Sequence, residues 1–270
     1  TAANSPSNPL QKATTILDPL NGQAFPGNRI PVSRFDPAAV NVTTYLPHVG
    51  GNGSVFYALP IVQNFGEEII KMDHNFSQKD RLTGRYFGDK FSNRATYSRT
   101  NILTYGDGSS IFSQNGLLQE THVFSPTLLN DLHFNYAREN SQRGPADGVP
   151  SLKDFGVNVY QPGDKAIESL GVTGFFSFGD NPIARFTRNN FTLSDDLRWV
   201  RGRHSMAFGV HAEISRIDVD NRFQRNGTVG FTADITNYAT ASFLRGNVHS
   251  FRQVAGECRN NRNDFYGVYA

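Results

Sequence analysis

Met206-Ala207-Phe208-Gly209-Val210-His211-Ala212-Glu213-Ile214-Ser215 is the stretch on which the fold turns. In an extended chain Met206, Phe208, Val210, Ala212 and Ile214 fall on one side, and Gly209, His211, Glu213 and Ser215 on the other. Period two sustained over this length is the pattern of a strand with one apolar and one wet face. Immediately upstream, Arg201-Gly202-Arg203 reverses the chain. Before that turn, Phe191, Leu193, Leu197 and Trp199 line one face of a partner strand, interrupted by Asp195. The two halves make a β-hairpin with a tight turn. Asp195 on the apolar side has two explanations: a place near a rim, where charge costs less, or a bulge that exchanges the faces.

Two more hairpins lie upstream. Ile70, Met72 and Phe76 alternate with Lys71, Asp73 and Asn75; the turn Ser77-Gln78-Lys79-Asp80 then leads into Leu82, Gly84, Tyr86 and Gly88 alternating with Thr83, Arg85 and Asp89. Leu117–Phe124 precedes a Ser125-Pro126-Thr127 turn, followed by Leu132, Phe134 and Tyr136 alternating with His133 and Asn135. Proline in the turn agrees with its exclusion from strand interiors. The connectors between hairpins, read as about residues 92–114, 140–189 and 216–262, far exceed the usual median of about 4–6 residues. Short reversals alternating with long ones are what a membrane barrel needs at its two rims. Asp264-Phe265-Tyr266-Gly267-Val268-Tyr269-Ala270 reads as a further strand without a turn or partner, which suits a slice of a larger barrel. Residues 1–60 show no sustained periodicity and read as an irregular segment of the barrel region, with the hairpins in 61–270. Within it, Asp36 reads as the N-cap and Pro37 as the first residue of one short helix. Gly50-Gly51-Asn52-Gly53-Ser54 reads as a flexible joint.

Composition narrows the class. The 270 residues carry 26 Lys+Arg against 24 Asp+Glu, a net charge of +2, and no basic run, which argues against nucleic acid as a partner. A single cysteine, Cys258, excludes an internal disulfide framework and a cysteine-clustered zinc site. Gly 25, Phe 22 and Tyr 10 suit a turn-rich β protein. A mean hydropathy of −0.44 is thin for a compact globule and fits strands with one apolar face each. No apolar run is long enough for a membrane-spanning helix, and Thr1-Ala2-Ala3-Asn4-Ser5-Pro6 holds no signal-peptide series.

Several segments carry a family likeness. Gly22-Gln23-Ala24-Phe25-Pro26-Gly27-Asn28-Arg29-Ile30-Pro31-Val32-Ser33-Arg34-Phe35, then Pro37 and Tyr45-Leu46-Pro47, resembles TonB-dependent receptors of the Oar-like group. So do Asp73-His74-Asn75-Phe76-Ser77 followed by Asp80-Arg81-Leu82-Thr83-Gly84-Arg85-Tyr86, and Gly202–Gly209, Tyr238–Gly246 and Asp264–Ala270. The markers are short, but they occur in the family's order over most of the chain. The resemblance implies a 22-strand bacterial outer-membrane barrel, a plug domain and a TonB-engaging box, with the Gly22–Pro31 motif lying after the plug. It therefore implies an internal slice without the energy-coupling segment. The partners it implies are outer-membrane lipid, the plug and TonB system through other parts of the parent, and a small nutrient ligand such as a glycan, peptide or metal chelate.

Catalytic constellations are weak. No His-Glu-x-x-His pair and no Gly-x-Ser-x-Gly elbow occurs. Glu67-Glu68 and Asp195-Asp196 are strand neighbours that face opposite sides, so neither makes a two-carboxylate cleft. Asp218-Val219-Asp220-Asn221 lacks the glycine and distant glutamate of a calcium loop, and Gly106-Asp107-Gly108-Ser109-Ser110 lacks the lysine of a phosphate loop and reads as a turn. No catalytic residue, metal site or cofactor is assigned. Lys71, Asp73, Arg85, His133, His211 and Glu213 are the wet-face residues expected to contact a plug or a passing solute. Phe112, Phe155, Phe176 and Phe178 join Tyr97, Tyr105, Tyr160 and Phe175 among aromatics expected in the long loops. Of these, Tyr97, Tyr105, Tyr160 and Phe175 are the ligand-catching candidates, the plainer reading being that long loops need small cores of their own. Tyr86, Tyr136 and Trp199 suit an interface belt. The expectation is an all-β antiparallel up-and-down meander, part of a transmembrane barrel with long extracellular loops. A surface-adhesion module and a soluble all-β hydrolase or carbohydrate-processing enzyme with a loop-built site are the alternatives.

Overall fold

The computed structural model describes residues 14–50, 53–180 and 183–270. Its strands, in chain order, are β1 (Gln63–Asn75), β2 (Asp80–Asn93), β3 (Gly108–Ser125), β4 (Leu128–Gly144), β5 (Ser169–Val172), β6 (Phe176–Phe178), β7 (Ala184–Arg201), β8 (His204–Asn221), β9 (Thr228–Phe231), β10 (Ser250–Arg252) and β11 (Glu257–Tyr269). Seven of them form one sheet in the order β1-β2-β3-β4-β7-β8-β11, antiparallel throughout, a meander in which each long strand pairs with the next. The other four form a small sheet ordered β10-β9-β5-β6. The terminus read for a signal peptide, Thr1–Pro6, lies outside the described residues, as do Gly51 and Asn52 of the glycine joint.

Register fixes the two faces of the large sheet. One row across it runs Met72, Gly84, Leu118, Phe134, Leu193, Ala212 and Tyr266, and the next runs Ile70, Tyr86, Gly116, Tyr136, Phe191, Ile214 and Asp264. The interleaved rows belong to the opposite face: Lys71, Arg85, Leu117, Asn135, Thr192, Glu213 and Phe265, then Asp73, Thr83, Gln119, His133, Ser194, His211 and Gly267. The first face is apolar and the second wet. From Met206 to Arg216 the apolar face of β8 advances about 34 Å at about 3.4 Å per residue. At a strand tilt of about 40° that is about 26 Å along the membrane normal, close to the ~25 Å apolar band of outer-membrane barrels. Tyr86 and Tyr136 stand near one edge of this band and Trp199, paired with Met206, at the other.

The short turns, 76–79, 126–127 and 202–203, gather at one end and the long connectors at the other. The strands run further toward the long loops than period two in the sequence reveals. The connectors are 94–107, 145–183 and 222–256 rather than 92–114, 140–189 and 216–262. Some of the added strand ends, such as Ser109-Ser110 and Glu139-Asn140-Ser141-Gln142-Arg143, have polar side chains on both faces, and others carry scattered apolar residues such as Ile111, Phe186 and Val219 without a sustained alternation. Above a bilayer neither face meets hydrocarbon, so ladder hydrogen bonds persist without a hydrophobic signal. Phe112 accordingly lies within β3, not in a loop, and Ser109 and Ser110 belong to a strand instead of a turn. The last strand begins at Glu257 and has β8 as its partner from Glu257↔Asn221 to Tyr269↔Gly209, contrary to its reading as partnerless. The bulge explanation for Asp195 fails, because pairing of β7 with β4 and β8 is unbroken. The register shift recorded in β3 falls instead at Val123/Ser125.

Residues 14–50 and the three long connectors build a head with its own core. Asp36 caps α1 (Pro37–Thr43) by accepting from the Ala38 and Ala39 amides at 2.8 and 3.3 Å, with Pro37 at the first position. Ala39 and Val42 of this helix pack with Ile102, Leu152, Phe155, Ile167, Phe178 and with Phe243 of α2 (Ala239–Leu244). Leu170, Val172, Val229 and Phe231 cover the same core from the small sheet. Gly246, at φ +67°, lies so close to Asp36 that a Cβ would approach its carboxylate to 2.7 Å; glycine here lets the chain after α2 close over the α1 cap.

Candidate functional site

Two surfaces carry convergent polar groups. The first is the wet face of the large sheet. The six residues singled out there, Lys71, Asp73, Arg85, His133, His211 and Glu213, fall in two adjacent register rows of one face. Several of them have partners. Asp73 accepts from the Thr83 hydroxyl at 2.6 Å and pairs with Lys71 and Arg81 at 3.0 Å each. Asn115 donates to Asn135 at 3.0 Å, and Glu213 accepts from the Ser215 hydroxyl at 3.2 Å. His211 stands beside the Phe265 ring, with centroids 6.0 Å apart. These bonds tie together parts of a mainly polar face, interrupted by Leu117 and Phe265, that can guide polar solutes or hold another polar surface.

The second surface is a cavity of about 840 Å³ over the open face of the small sheet. Alternation decides its chemistry. Leu170, Val172, Val229 and Phe231 turn into the head core, so Ser169, Gly171, Thr228 and Gly230 are left on the outer side. Gly171 faces Ser177 across one edge and Gly230 faces Ser250 across the other. Thr173 and Thr232 extend this hydroxyl floor, and Tyr57, Phe175 and His249 wall it. The Tyr57 hydroxyl donates to the Leu103 carbonyl at 2.9 Å, and His249 Nδ1 lies 2.7 Å from Asp234. The Thr232 hydroxyl and then His249 hold the Asp234 carboxyl below its ordinary range. The floor offers hydroxyls and backbone, the walls offer ring faces, and His249 at the rim is already paired with Asp234.

The ligand-catching aromatics separate. Phe175 lines the cavity, 42% exposed and edge-to-face with Tyr238. Tyr97 is half-buried against the head core. Tyr105 is buried, its hydroxyl accepting from the Ile167 amide at 3.4 Å. Tyr160 is 70% exposed and is not among the residues that line the cavity. Phe155 and Phe178 belong to the head core, and Phe176 packs against that core while also lining the cavity. Tyr57, His249 and the hydroxyl floor escaped the sequence reading, because four-residue strands such as Thr228-Val229-Gly230-Phe231 are too short to announce their alternation.

Between head and sheet lies a buried acidic junction. Asp107 immediately precedes β3, and its amide donates to Asp180 at 2.9 Å. Burial, and then the neighbouring Asp180 charge, push the Asp107 carboxyl up to about 7 against the opposing pull of the Tyr105 hydroxyl and Arg143. Glu168 accepts from the Gln224 and Asn226 amides at 2.5 and 3.2 Å, tying two long connectors together, and burial raises its pKa. The sign for Asp107 follows from linkage. An unfolded chain releases this proton near 3.8 and the folded head near 7, so stability falls as pH rises through that window. Asp107→Asn is expected to stabilise the head at pH 8 and leave it nearly unchanged at pH 4, read as amide-exchange protection of residues 94–107 and 145–183. Equal effects at both pH values would contradict this assignment.

At the opposite end, the pairing of Asp80 with His122 brings these two and Glu120 together on the apolar face near the short turns. His122 Nδ1 contacts Asp80 at 2.5 Å, and Ser77 also bonds Asp80. Beside them Asn130 donates to Asp195 at 2.5 Å, so the carboxylate that interrupts the β7 apolar face has an amide partner in the row nearer the short turns. Cross-strand register, invisible to motif spacing, makes this cluster.

A family model described as an outer membrane beta barrel domain matches residues 1–270. No curated protein and no solved structure matches the chain.

Proposed function

We propose that this chain, which belongs to the outer membrane beta barrel domain family and lies in the bacterial outer membrane, serves in a TonB-dependent, Oar-like receptor that captures a small nutrient ligand and passes it inward. The observation that carries this reading is the pairing of two surfaces: a hydroxyl-floored, aromatic-walled cavity in the head, and a wet strand face below it. The short marker segments resembling Oar-like receptors support the same reading, in which the plug and TonB supply the energy. Capture and passage require no covalent step, so the reading assigns no catalytic role and no cofactor.

Gly171 provides the direct test. Its φ lies outside the left-handed region, and a Cβ there would meet nothing closer than Ser177 Cβ at 3.9 Å. Leucine therefore fits the strand backbone while its side chain fills the cavity floor. In cells producing the full-length protein, Gly171→Leu is expected to reduce uptake of neutral oligosaccharides, short peptides or ferric chelates, whichever of these pools the parent accumulates, by about tenfold or more, the loss of roughly 1.4 kcal/mol of binding. Uptake that requires TonB and falls in the variant supports the reading. Surface attachment of the ligand without TonB-dependent accumulation would move the assignment to adhesion, and unchanged uptake would remove the cavity from the pathway.

A further inference from the structure

The apolar face of the large sheet changes chemistry abruptly at its upper edge. One register row above Tyr136, Phe191 and Ile214 stand Arg138 on β4, Asn189 on β7, Arg216 on β8 and Arg262 on β11. Strands lie about 4.8 Å apart, so the outer two guanidinium positions are separated by about 14 Å at the backbone. Tyr136 donates its hydroxyl to Asn189 at 3.0 Å, and Arg138 donates to the same oxygen at 2.8 Å. Tyr136 of the belt and Arg138 of the row thus share one acceptor. Lys90 and Arg185 stand one and two rows higher on the same face. Its acidic groups near the row are Asp264, which pairs with Arg216 at 2.5 Å, Asp218, which accepts from Asn260 at 2.8 Å, Asp220, which pairs with Arg222, and Glu68 at the far strand of the row. Arg262 is exposed.

We infer that Arg138, Arg216 and Arg262 form a docking surface for the phosphate groups of an anionic lipid in the outer leaflet. Height supports this occupant. The row stands about 26 Å above Met206, where hydrocarbon gives way to headgroups and where tyrosine rings settle. Chemistry supports it as well: guanidinium groups bind phosphate oxygens in pairs, are always charged, and shed hydration more readily than an ammonium. Free anions have no reason to prefer a ring of cations next to an apolar wall, whereas a phosphate carried on acyl chains satisfies both at once. The inference is independent of which solute the receptor takes.

Outer membranes containing the full protein, dissolved in mild detergent, would be assayed by mass spectrometry for phosphorylated lipid A retained per protein. With all three arginines changed to glutamine, retention is expected to fall about fivefold per charge, on the order of a hundredfold in total, and changing all three to lysine to restore part of it. Arg81→Gln with Arg85→Gln, on the wet face, serves as the control and is expected to leave retention unchanged. Should the triple variant fail to fold, the single exposed change Arg262→Gln carries the test, with a fall of about fivefold expected. Retention equal to the unaltered protein in these variants overturns the inference. So does displacement of the lipid by inorganic phosphate as readily as by added phosphorylated lipid A, which would indicate a free-anion site only.

Discussion

Arginine in place of Leu193 is expected to destabilise the sheet in a bilayer by about 2–4 kcal/mol, and arginine in place of the adjacent Thr192 by less than about 1 kcal/mol. The two residues share a backbone and differ in the face they occupy. Leu193 lies between Phe134 and Ala212 in an apolar row, 47% exposed because that row meets the surroundings and not a protein core. Thr192 lies between Asn135 and Glu213 on the wet face, where a guanidinium keeps its hydration and gains a carboxylate neighbour. Trp199, the single tryptophan, sits at the rim of the same strand and reports unfolding by fluorescence. Urea titration of the protein in lipid vesicles measures both variants. Equal losses would mean that the apolar face is not turned to lipid.

The second large effect belongs to the head. Phe155 is fully buried, edge-to-face with Tyr45 at 5.2 Å and with Phe178 at 6.5 Å, and its carbonyl accepts from the Asn41 side-chain amide at 2.9 Å. Phe155→Ala leaves a cavity that this closely packed cluster cannot collapse to fill, at a cost of about 3–5 kcal/mol. Because the head and the sheet hold separate apolar surfaces, the expected result is local. Residues 145–183 and 222–256 become cleavable by protease, while the long strands stay protected. The ligand capture proposed for the small sheet should disappear with the head. Loss of the whole sheet in the same transition would show that the two cores melt as one.

Legibility followed the range of the interactions. The hairpin 191–214 could be read residue by residue, because a strand with one apolar face writes its alternation into neighbouring positions. The six wet-face residues were legible for the same reason, and register then aligned them. Above the membrane band the signal stops: Glu139–Arg143 and Gly108–Ser110 are strand by hydrogen bonding alone, and no apolar face marks them. Asp195 was visible as an anomaly, but its partner Asn130 lies on another strand. Among the aromatics, Tyr105 and Phe175 look alike in the chain. One is buried beneath Ile167 and the other lines the cavity, and no local pattern distinguishes them.

The sequence by itself determined the alternation of faces, the tight reversals at one end and the α1 cap, since each depends on residues within a few positions of one another. Only the tertiary structure decided that β5 and β9, from connectors on either side of the β7–β8 hairpin, pair in parallel and expose a hydroxyl floor. It likewise decided that Asp107 meets Asp180 out of solvent. Those contacts close long loops, and their free energy comes from burying a shared core, a quantity that no single segment contains.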